Sequence, residues 1–534
     1  MTPPVDELTL LDVDLMARAD AQAMALGVPG VVLMQAAGDA VIRAICARWS
    51  RRRVLVLCGP GNNGGDGYVV ARGLADAGWP VEVSALAPID ALQGDALHHA
   101  LRWRDAVPSV DGPPAARARQ PRSLDEVDPG AFDLVVDAWF GAGLARPLPP
   151  ACTDWLGRAR EAGCVIVAVD LPSGLDGHSG RSMGAVQADL SVTFHRKKPG
   201  HVLMPGRALC GEIVVADIGI PSEVQEGLAR EAGPLPVENA PAVWGGVWPA
   251  LAADGHKYHR GHVAVFGGGR MVGAARLTAR AAARVGAGLV TLQVPASVWP
   301  VYAAGVGSTM AQALDDGSTG ALCGAWGDAL AGARWAAVAI GPGARAGLPG
   351  EPGSGVLADL VLAALAAPSV QAVVLDADAL TVFEATPDRL FDAIHRARRP
   401  VVLTPHEGEF RRLFGVVPDP APRDDKIGAT RAAAVRSGAV VLFKGADTVV
   451  AAPDGQVSVN TVAPPSLATG GSGDVLSGLI AGLLGQGMPA WEAASAAAWV
   501  HGMAAVLHGP GLVADDLPEA VPAVLRRLQG GVWR

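Results

Sequence analysis

The chain has 534 residues, half of them apolar and 18% charged, with a net charge of −9. That length exceeds a single hydrophobic core and that composition excludes a disordered protein, so a two-domain globular chain is expected. The acidic balance carries no block of like charge, which excludes a general nucleic-acid surface. The six cysteines, at 46, 58, 152, 164, 210 and 323, form no Cys-x-x-Cys pair, which excludes a zinc ribbon or disulfide framework and points to a reducing, cytoplasmic setting. The first fifteen residues hold four acids and no base, unlike a secretory signal. Stretches 285–314 and 475–491 are apolar but broken by glycine and proline, so no membrane partner is expected. A homo-oligomer is expected.

In chain order, residues 12–49 read as helix with a Gly-Pro break at 27–30. Residues 53–58 form an apolar strand, followed by Gly59-Pro60-Gly61-Asn62-Asn63-Gly64-Gly65-Asp66-Gly67, a helix over 68–77 and a strand over 81–86. This is the β-loop-α-β unit of an open parallel sheet. Residues 108–129 are polar and contain proline, as in a surface loop. Strands resume at 134–136 and 165–169, each ending in an aspartate, Asp137 and Asp170. Ligands of such sheets gather at the carboxyl ends of the strands, so the loop after Cys58 and these two aspartates belong to one crevice.

The loop from Gly59 to Gly67 is neither a Rossmann fingerprint nor a P-loop. Its five glycines read as a concave backbone nest for a phosphate or a cation. Two further glycine loops follow strands, Asp137-Ala138-Trp139-Phe140-Gly141-Ala142-Gly143-Leu144 and Asp170-Leu171-Pro172-Ser173-Gly174-Leu175-Asp176. Asn63, Asp137 and Ser173 offer hard oxygen ligands for an alkali or alkaline-earth ion. Asp170 fits a base, a ribose acceptor or a helix cap equally. The run Arg196-Lys197-Lys198 fits a small-ligand phosphate or a solvated turn.

These loops, together with residues 33–38 and the tail Thr193-Phe194…Lys198-Pro199-Gly200…Asp217-Ile218-Gly219-Ile220, resemble the epimerase domain of the NAD(P)H-hydrate repair proteins. The resemblance implies a Rossmann-like three-layer sandwich over 1–220. It implies interconversion of the R and S hydrates of NADH and NADPH, with potassium held by Asn63, Asp137 and Ser173. It also places the hydrated dinucleotide on Asn62, Asn63, Gly64, Gly65, Asp66, Gly141, Ala142, Gly143, Leu144, Ala145, Arg146 and Asp170. Asp170 is the expected base. The family usually has Glu-Asn before an Ala-Gly pair, where this chain has Gln35-Ala36.

Residues 221–250 are rich in proline, glycine and small side chains and read as a linker. A second parallel-sheet domain is expected over 251–534. Its strands are placed at 262–266, 289–294, 336–340, 373–375, 401–403 and 439–443, and its helices at 274–285, 355–366, 429–436, 474–484 and 491–507. Polar residues follow successive strands: Gly341-Pro342-Gly343, Asp376-Ala377-Asp378, Thr404-Pro405-His406-Glu407-Gly408-Glu409 and Lys444-Gly445-Ala446-Asp447-Thr448.

The run Ala468-Thr469-Gly470-Gly471-Ser472-Gly473-Asp474 is the most telling. Glycines let the backbone approach an anion at a helix start, where N–H groups are free. A carboxylate beside them is placed to take a proton from an attacking hydroxyl, so phosphoryl chemistry is expected there, with Lys444 toward a nucleotide phosphate.

From about residue 256 to 508 this half resembles the ADP/ATP-dependent NAD(P)H-hydrate dehydratases, which are similar to ribokinase-type kinases. The resemblance implies a ribokinase-like three-layer sandwich that phosphorylates the C6 hydroxyl of the S hydrate and then eliminates phosphate. It makes Asp474 the catalytic base, brings Gly343 and His406 to the hydrate, and brings Lys444, Gly445, Ala446, Asp447, Thr448 and Gly473 to ADP, with Mg2+ accompanying the nucleotide. Arg270 and Met271 stand where the family commonly has a small hydroxyl residue. Two other readings remain open at this point: a kinase of a vitamin or small sugar fused to a dinucleotide-binding domain, and a nucleotide-binding regulator with an inactive first domain.

Overall fold

A computed structural model of the protein describes residues 5–106, 120–144, 146–250, 254–305, 307–344, 354–415 and 425–530. It contains two compact units, one of residues 9–235 and one of residues up to 8 together with 236–534.

The first unit is built on six parallel strands: β1 Val54–Cys58, β2 Val81–Ala85, β3 Leu134–Ala138, β4 Val165–Val169, β5 Leu190–Phe194 and β6 Glu212–Ala216. Their spatial order is β2-β1-β3-β4-β5-β6. The central strands are apolar throughout because both faces are covered. Val54, Val56 and Cys58 enter a core formed with helices Val13–Ala25, Gly30–Arg48, Asn62–Asp76 and Ser222–Ala232, while Leu55 and Leu57 enter a second core under helix Pro150–Glu161. The period-2 alternation of β1 thus yields the expected three-layer sandwich. Helix Gly30–Arg48 is long and apolar enough to cross a membrane by length and composition, but Leu33, Ala37, Val41 and Ile45 pack into the first core.

The second unit holds a ten-stranded sheet. Its strands are β7 Val237–Glu238, β8 His262–Phe266, β9 Leu289–Pro295, β10 Met310–Leu314, β11 Ala337–Ile340, β12 Val373–Leu375, β13 Val401–Leu403, β14 Val440–Phe443, β15 Thr448–Ala451 and β16 Val457–Asn460. They lie in the order β10-β9-β8-β11-β12-β13-β14-β15-β16-β7. Val263 and Val265 pack on helices Val272–Val285, Ser472–Gly485 and Ala490–His508. On the other face Phe266 meets Trp326 edge-on, and Phe443 stacks on Phe410 at 4.3 Å. This too is a three-layer sandwich.

Three expectations change. The glycine loop after β1 is shorter than its sequence suggests, because the helix starts at Asn62 and not at residue 68. None of its glycines adopts a positive φ. Gly64 is needed for closeness instead, since a Cβ there would collide with the Gly59 carbonyl. The second sheet is not wholly parallel, because β15 returns antiparallel to β14 and β16 antiparallel to β15. Residues 221–250 are not bare chain: they carry helix Ser222–Ala232, strand β7 and helix Pro241–Trp244. Most of the expected loop 108–129 lies outside the described residues, and its last part forms short turns at Leu124–Glu126 and Pro129–Ala131.

Helices Val272–Val285 and Ser472–Gly485 cross backbone to backbone. A Cβ on Gly478 would collide with the Thr278 carbonyl and stand 2.8 Å from the Ala281 Cβ. Thr278 Oγ1 also donates to the Asp474 carbonyl at 2.9 Å, so this crossing fixes the start of the second helix. Gly478→Val should therefore destabilise the second unit by about 1–3 kcal/mol through overpacking. The measurement is the urea midpoint of that unit, and an unchanged midpoint would show that the helices can separate at no cost.

Candidate active sites

In the first unit the chain after β1 turns to β2 on one side, and β3 lies on the other, so β1 and β3 flank the topological switch point. The loops after β1, β3, β4, β5 and β6 meet there in a cleft of about 500 Å3, closed by helices Val13–Ala25 and Gly30–Arg48. Asn62, Asn63, Asp66, Gly141, Ala142, Gly143, Leu144 and Asp170 line it. Gly141 is wedged in place, since a Cβ there would stand 3.0 Å from Asn63 Oδ1 and 3.2 Å from Asp170 Oδ2. Gly64 and Gly65 are buried in the helix behind the cleft wall, and Arg146 is exposed away from it. Ala145 lies outside the described residues.

Asp170 is the electrostatic centre of this cleft. Its φ of 66° turns the chain sharply after β4. Its Oδ1 accepts Lys198 Nζ at 2.7 Å and Thr193 Oγ1 at 2.8 Å, and its Oδ2 accepts the Ala142 N–H at 3.2 Å. His201 Nε2 lies 2.9 Å from the Asp170 carbonyl. Burial raises the Asp170 carboxyl, but Lys198 and its hydrogen bonds prevail and hold it at about 2. It is therefore ionised and fully bonded, which makes it a poor proton acceptor.

Lys198 is 2% exposed, so the solvated-turn reading of the basic run fails at this residue. Of the other acids of the cleft wall, Asp66 is expected from its loop, whereas Asp20 and Asp95 carry no motif that marks them. Burial, opposed by Lys198 and aided by Asp170, pushes Asp20 up to about 6. Burial, with Asp170 and Asp20 nearby, drives Asp66 well above the carboxylate range.

Asp137 and Ser173 sit behind the cleft and bond each other. Ser173 N donates to Asp137 Oδ2 at 2.8 Å and Ser173 Oγ to Oδ1 at 2.6 Å, and Phe140 N donates to Ser173 Oγ at 2.9 Å. Asp137 is 1% exposed and, among the described residues, has no cation bonded to it. Asp137 is a buried carboxylate without a counter-charge, and the Asn63 amide oxygen stands at Gly141; hard oxygens of this kind suit a potassium ion. Among the described residues no group of three or more His, Cys, Asp or Glu side chains is arranged to hold a metal ion.

In the second unit the switch point lies between β8 and β11. Gly343 has a φ of +62°, and a Cβ on it would strike the Met271 carbonyl, so the loops after these strands interlock there. Asp376 follows β12, His406 follows β13 and Lys444 follows β14. Lys444 Nζ donates to Asp376 Oδ1 at 2.7 Å and stands 3.9 Å from Glu409 Oε2. Ser477, from the second turn of helix Ser472–Gly485, donates to Asp376 Oδ2 at 2.6 Å.

Gly473 is 3.6 Å from Lys444 Nζ, measured from where a Cβ would stand, so Lys444 lies at the helix tip already paired with a carboxylate. Burial and Asp376 push Asp474 up to about 6, with Lys444 opposing and Asp378 adding to the rise. Burial depresses Lys444, but Asp376 and Glu409 outweigh it and raise it overall.

His406 caps helix Glu407–Phe414. Its Nδ1 accepts the Gly408 N–H at 3.0 Å and the Glu409 N–H at 3.3 Å, while Glu409 Oε2 accepts the His406 N–H. That fixes the Nε2–H tautomer on an exposed ring. Residues 444–448 form the β14–β15 hairpin loop, closed by Thr448 Oγ1 on the Gly445 carbonyl at 2.8 Å and by Lys426 on Asp447 at 2.6 Å.

Residues 30–200 match the family model described as YjeF-related protein N-terminus, and residues 263–519 match that of NAD(P)H-hydrate dehydratase. A bifunctional NAD(P)H-hydrate repair enzyme of Moorella thermoacetica is 39% identical over 94% of this chain and 93% of its own length. The chain belongs to the family of bifunctional NAD(P)H-hydrate repair enzymes. A repair enzyme of Thermofilum pendens is 34% identical over 98% of this chain and 96% of its own. The crystal structure of an ADP/ATP-dependent NAD(P)H-hydrate dehydratase from Bacillus subtilis, co-crystallised with ATP and Mg2+, is 29% identical with a TM-score of 0.44, over 53% of this chain and 95% of that one.

The two departures from the repair-enzyme pattern have local explanations. Gln35 points to a polar cluster outside the cleft, donating to Asp39 at 2.8 Å and accepting from Arg72 and Arg102, and Ala36 packs on the core, whereas Leu33, Met34 and Ala37 line the cleft. Arg270 and Met271 are exposed, and Met271 meets Gly343 through its backbone carbonyl.

Lys198→Met should cost the first unit about 3–5 kcal/mol at pH 7, because it leaves the Asp170 carboxylate buried without a partner. The sign follows from Asp170, whose folded value of about 2 lies below the ordinary 3.8. The pair's contribution is present above the unfolded pKa and is lost as pH falls through about 2. In the variant the orphaned carboxyl takes up a proton earlier, so the deficit in urea unfolding narrows between pH 7 and about pH 4. A deficit equal at both pH values would count against the pair.

Proposed function

We propose that this chain repairs hydrated NADH and NADPH, interconverting the R and S hydrates in the cleft of the first unit and dehydrating the S hydrate with ADP or ATP in the second. The observation that carries the reading is Asp474, a carboxyl raised to about 6 in the first turn of a helix whose Gly473 and Asp474 N–H groups, among the described residues, are open to a phosphate.

At this site the C6 hydroxyl loses its proton to Asp474 as its oxygen bonds the terminal phosphorus and the nucleotide leaves. Phosphate then departs from C6 with the C–O electron pair while a proton leaves C5, restoring the C5=C6 double bond. Hydroxide is a poor leaving group and phosphate a good one, which accounts for the nucleotide. Burial, with Asp376 beside it and Lys444 opposing, keeps Asp474 at a value near neutrality. His406 presents its Nε2–H toward the hydrate. Gly343 brings backbone close to it, and residues 444–448 with Gly473 take the ADP. Mg2+ would arrive with the nucleotide and neutralise phosphate charge when bound.

In the first unit Asn63, Asp137 and Ser173 would hold potassium, which fixes the loops around Gly141. Asn62, Asp66, Gly141–Leu144 and Asp170 face the hydrated dinucleotide.

The test supplies a mixed R and S hydrate of NADH with ADP or ATP and follows the near-ultraviolet absorbance of the reduced ring. Full recovery is expected. Recovery of the S fraction alone would remove the epimerase, and a stable phosphorylated product without recovery would replace the dehydratase by a kinase. Asp474→Asn should lower dehydration by about 10²–10⁴-fold and leave R/S interconversion intact. The wild-type dehydration rate should fall below about pH 6, where Asp474 carries a proton. Equal loss of both activities in Asp474→Asn would undo the two-site reading.

Exchanging potassium for a large organic cation should slow R/S interconversion and leave S-hydrate dehydration unchanged. Indifference of the first reaction would remove the ion from the Asn63, Asp137 and Ser173 set.

A further inference from the structure

Helix Val13–Ala25 turns Val13, Met16, Ala17, Asp20 and Met24 toward the cleft of the first unit, the spacing of one helical face. Asp20 is the acid in that row, half-buried among methionines, and it accepts no hydrogen bond from the described residues. Every other charged group around it is accounted for. Asp170 is saturated by Lys198, Thr193 and Ala142. Asp66 is 8% exposed at the cleft floor, and its burial raises it well above its ordinary value. Asp95 lines the wall from helix Gly94–Arg104, and His201 backs Asp170 and is neutral because burial lowers it to about 4. On the outer side of the same helix Arg18 is spent on Glu231 of helix Ser222–Ala232, and Asp39 of helix Gly30–Arg48 accepts from Gln35.

We propose that Asp20 is the group that carries the proton in R/S interconversion, and that Asp170 has the electrostatic role. This rests on the function proposed above for the first unit. The protonated Asp20 carboxyl gives its proton to the C6 hydroxyl. The C6–O bond breaks with its electron pair on oxygen, water departs, and the ring N1 lone pair closes an N1=C6 double bond. The flat cation lies beside the fixed carboxylate of Asp170. Water then adds to the opposite face of C6, the N1=C6 pair returns to nitrogen, and the surplus proton returns to Asp20. One proton leaves and one comes back, so no co-reactant other than water is consumed.

A group doing this work needs an unengaged carboxyl open to the cleft and a value near the working pH. Asp20, at about 6, has both, whereas Asp170, at about 2, has neither.

The experiment measures R/S interconversion of NADH hydrate by the full chain over pH 5–9, with S-hydrate dehydration and the thermal midpoint read on the same preparations. Asp20→Asn should lower interconversion at least 100-fold, leave dehydration unchanged and leave the midpoint in place. Asp20→Glu should restore activity to within about tenfold and move the limb of the pH profile near 6. Asp20→Asn within threefold of wild type would overturn the proposal. Should Asp20→Asn unfold, an Asp20→Glu profile that superimposes on wild type would overturn it and a displaced limb would support it. A wild-type chain that does not interconvert the hydrates defeats the proposed function itself, whereas an active wild type with an equally active Asp20→Asn defeats this inference alone.

Discussion

In each unit one lysine bonds one carboxylate beside a second carboxyl. In the first, Lys198 bonds Asp170 at 2.7 Å next to Asp20; in the second, Lys444 bonds Asp376 at 2.7 Å next to Asp474. Partial burial above all pushes the neighbouring carboxyl up to about 6 in both cases, with the paired carboxylate adding to the rise and the lysine opposing it. A carboxyl at its ordinary value would be too weak a base to accept a hydroxyl proton, and one raised far higher would never be free at neutral pH. In the first unit Lys198 keeps Asp170 ionised against the burial that would raise it.

The sheets make this arrangement available twice. In a parallel sheet every strand delivers its next residue to the same edge, so residues far apart in sequence arrive together. Asp170 follows β4 and Lys198 lies just beyond β5; Asp376 follows β12 and Lys444 follows β14. Neither pair is local in the chain, and neither would form if a single strand slipped in register. Ser477 and Thr278 add a second constraint in the larger unit, tying the tip of helix Ser472–Gly485 to Asp376 and to the neighbouring helix.

What the sequence disclosed follows the same logic. The two parallel sandwiches, the loops at strand ends and Asp474 at a glycine-rich helix start were legible because apolar runs and glycine clusters are local signals. The β14–β15–β16 hairpin had a local signal too, Pro453-Asp454-Gly455 between two short apolar runs, a turn pattern that the expectation of a parallel sheet obscured. Lys198 looked like one of three surface bases, since nothing in Arg196-Lys197-Lys198 tells which side chain turns inward; only the partner carboxylate, 28 residues away, decides it. Asp20 sits in an amphipathic helix whose polar residues all look alike, and its distinction is the cleft it faces. The nest after Cys58 was read as loop because five glycines in nine residues suggest turns, whereas here they allow a helix to start against its own strand.

The two sites differ where their chemistry differs. Interconverting two hydrates makes and breaks the same C–O bond, so its overall free-energy change is small and a proton carrier beside a stabilising charge suffices. The first cleft accordingly gathers carboxyls and one lysine. Dehydration must also remove hydrogen from C5 and cannot wait for hydroxide to leave, so it couples to a phosphoryl donor. That demands a place for several negative oxygens, and the Gly473 and Asp474 N–H groups at the helix start, with Lys444 beside them, supply one.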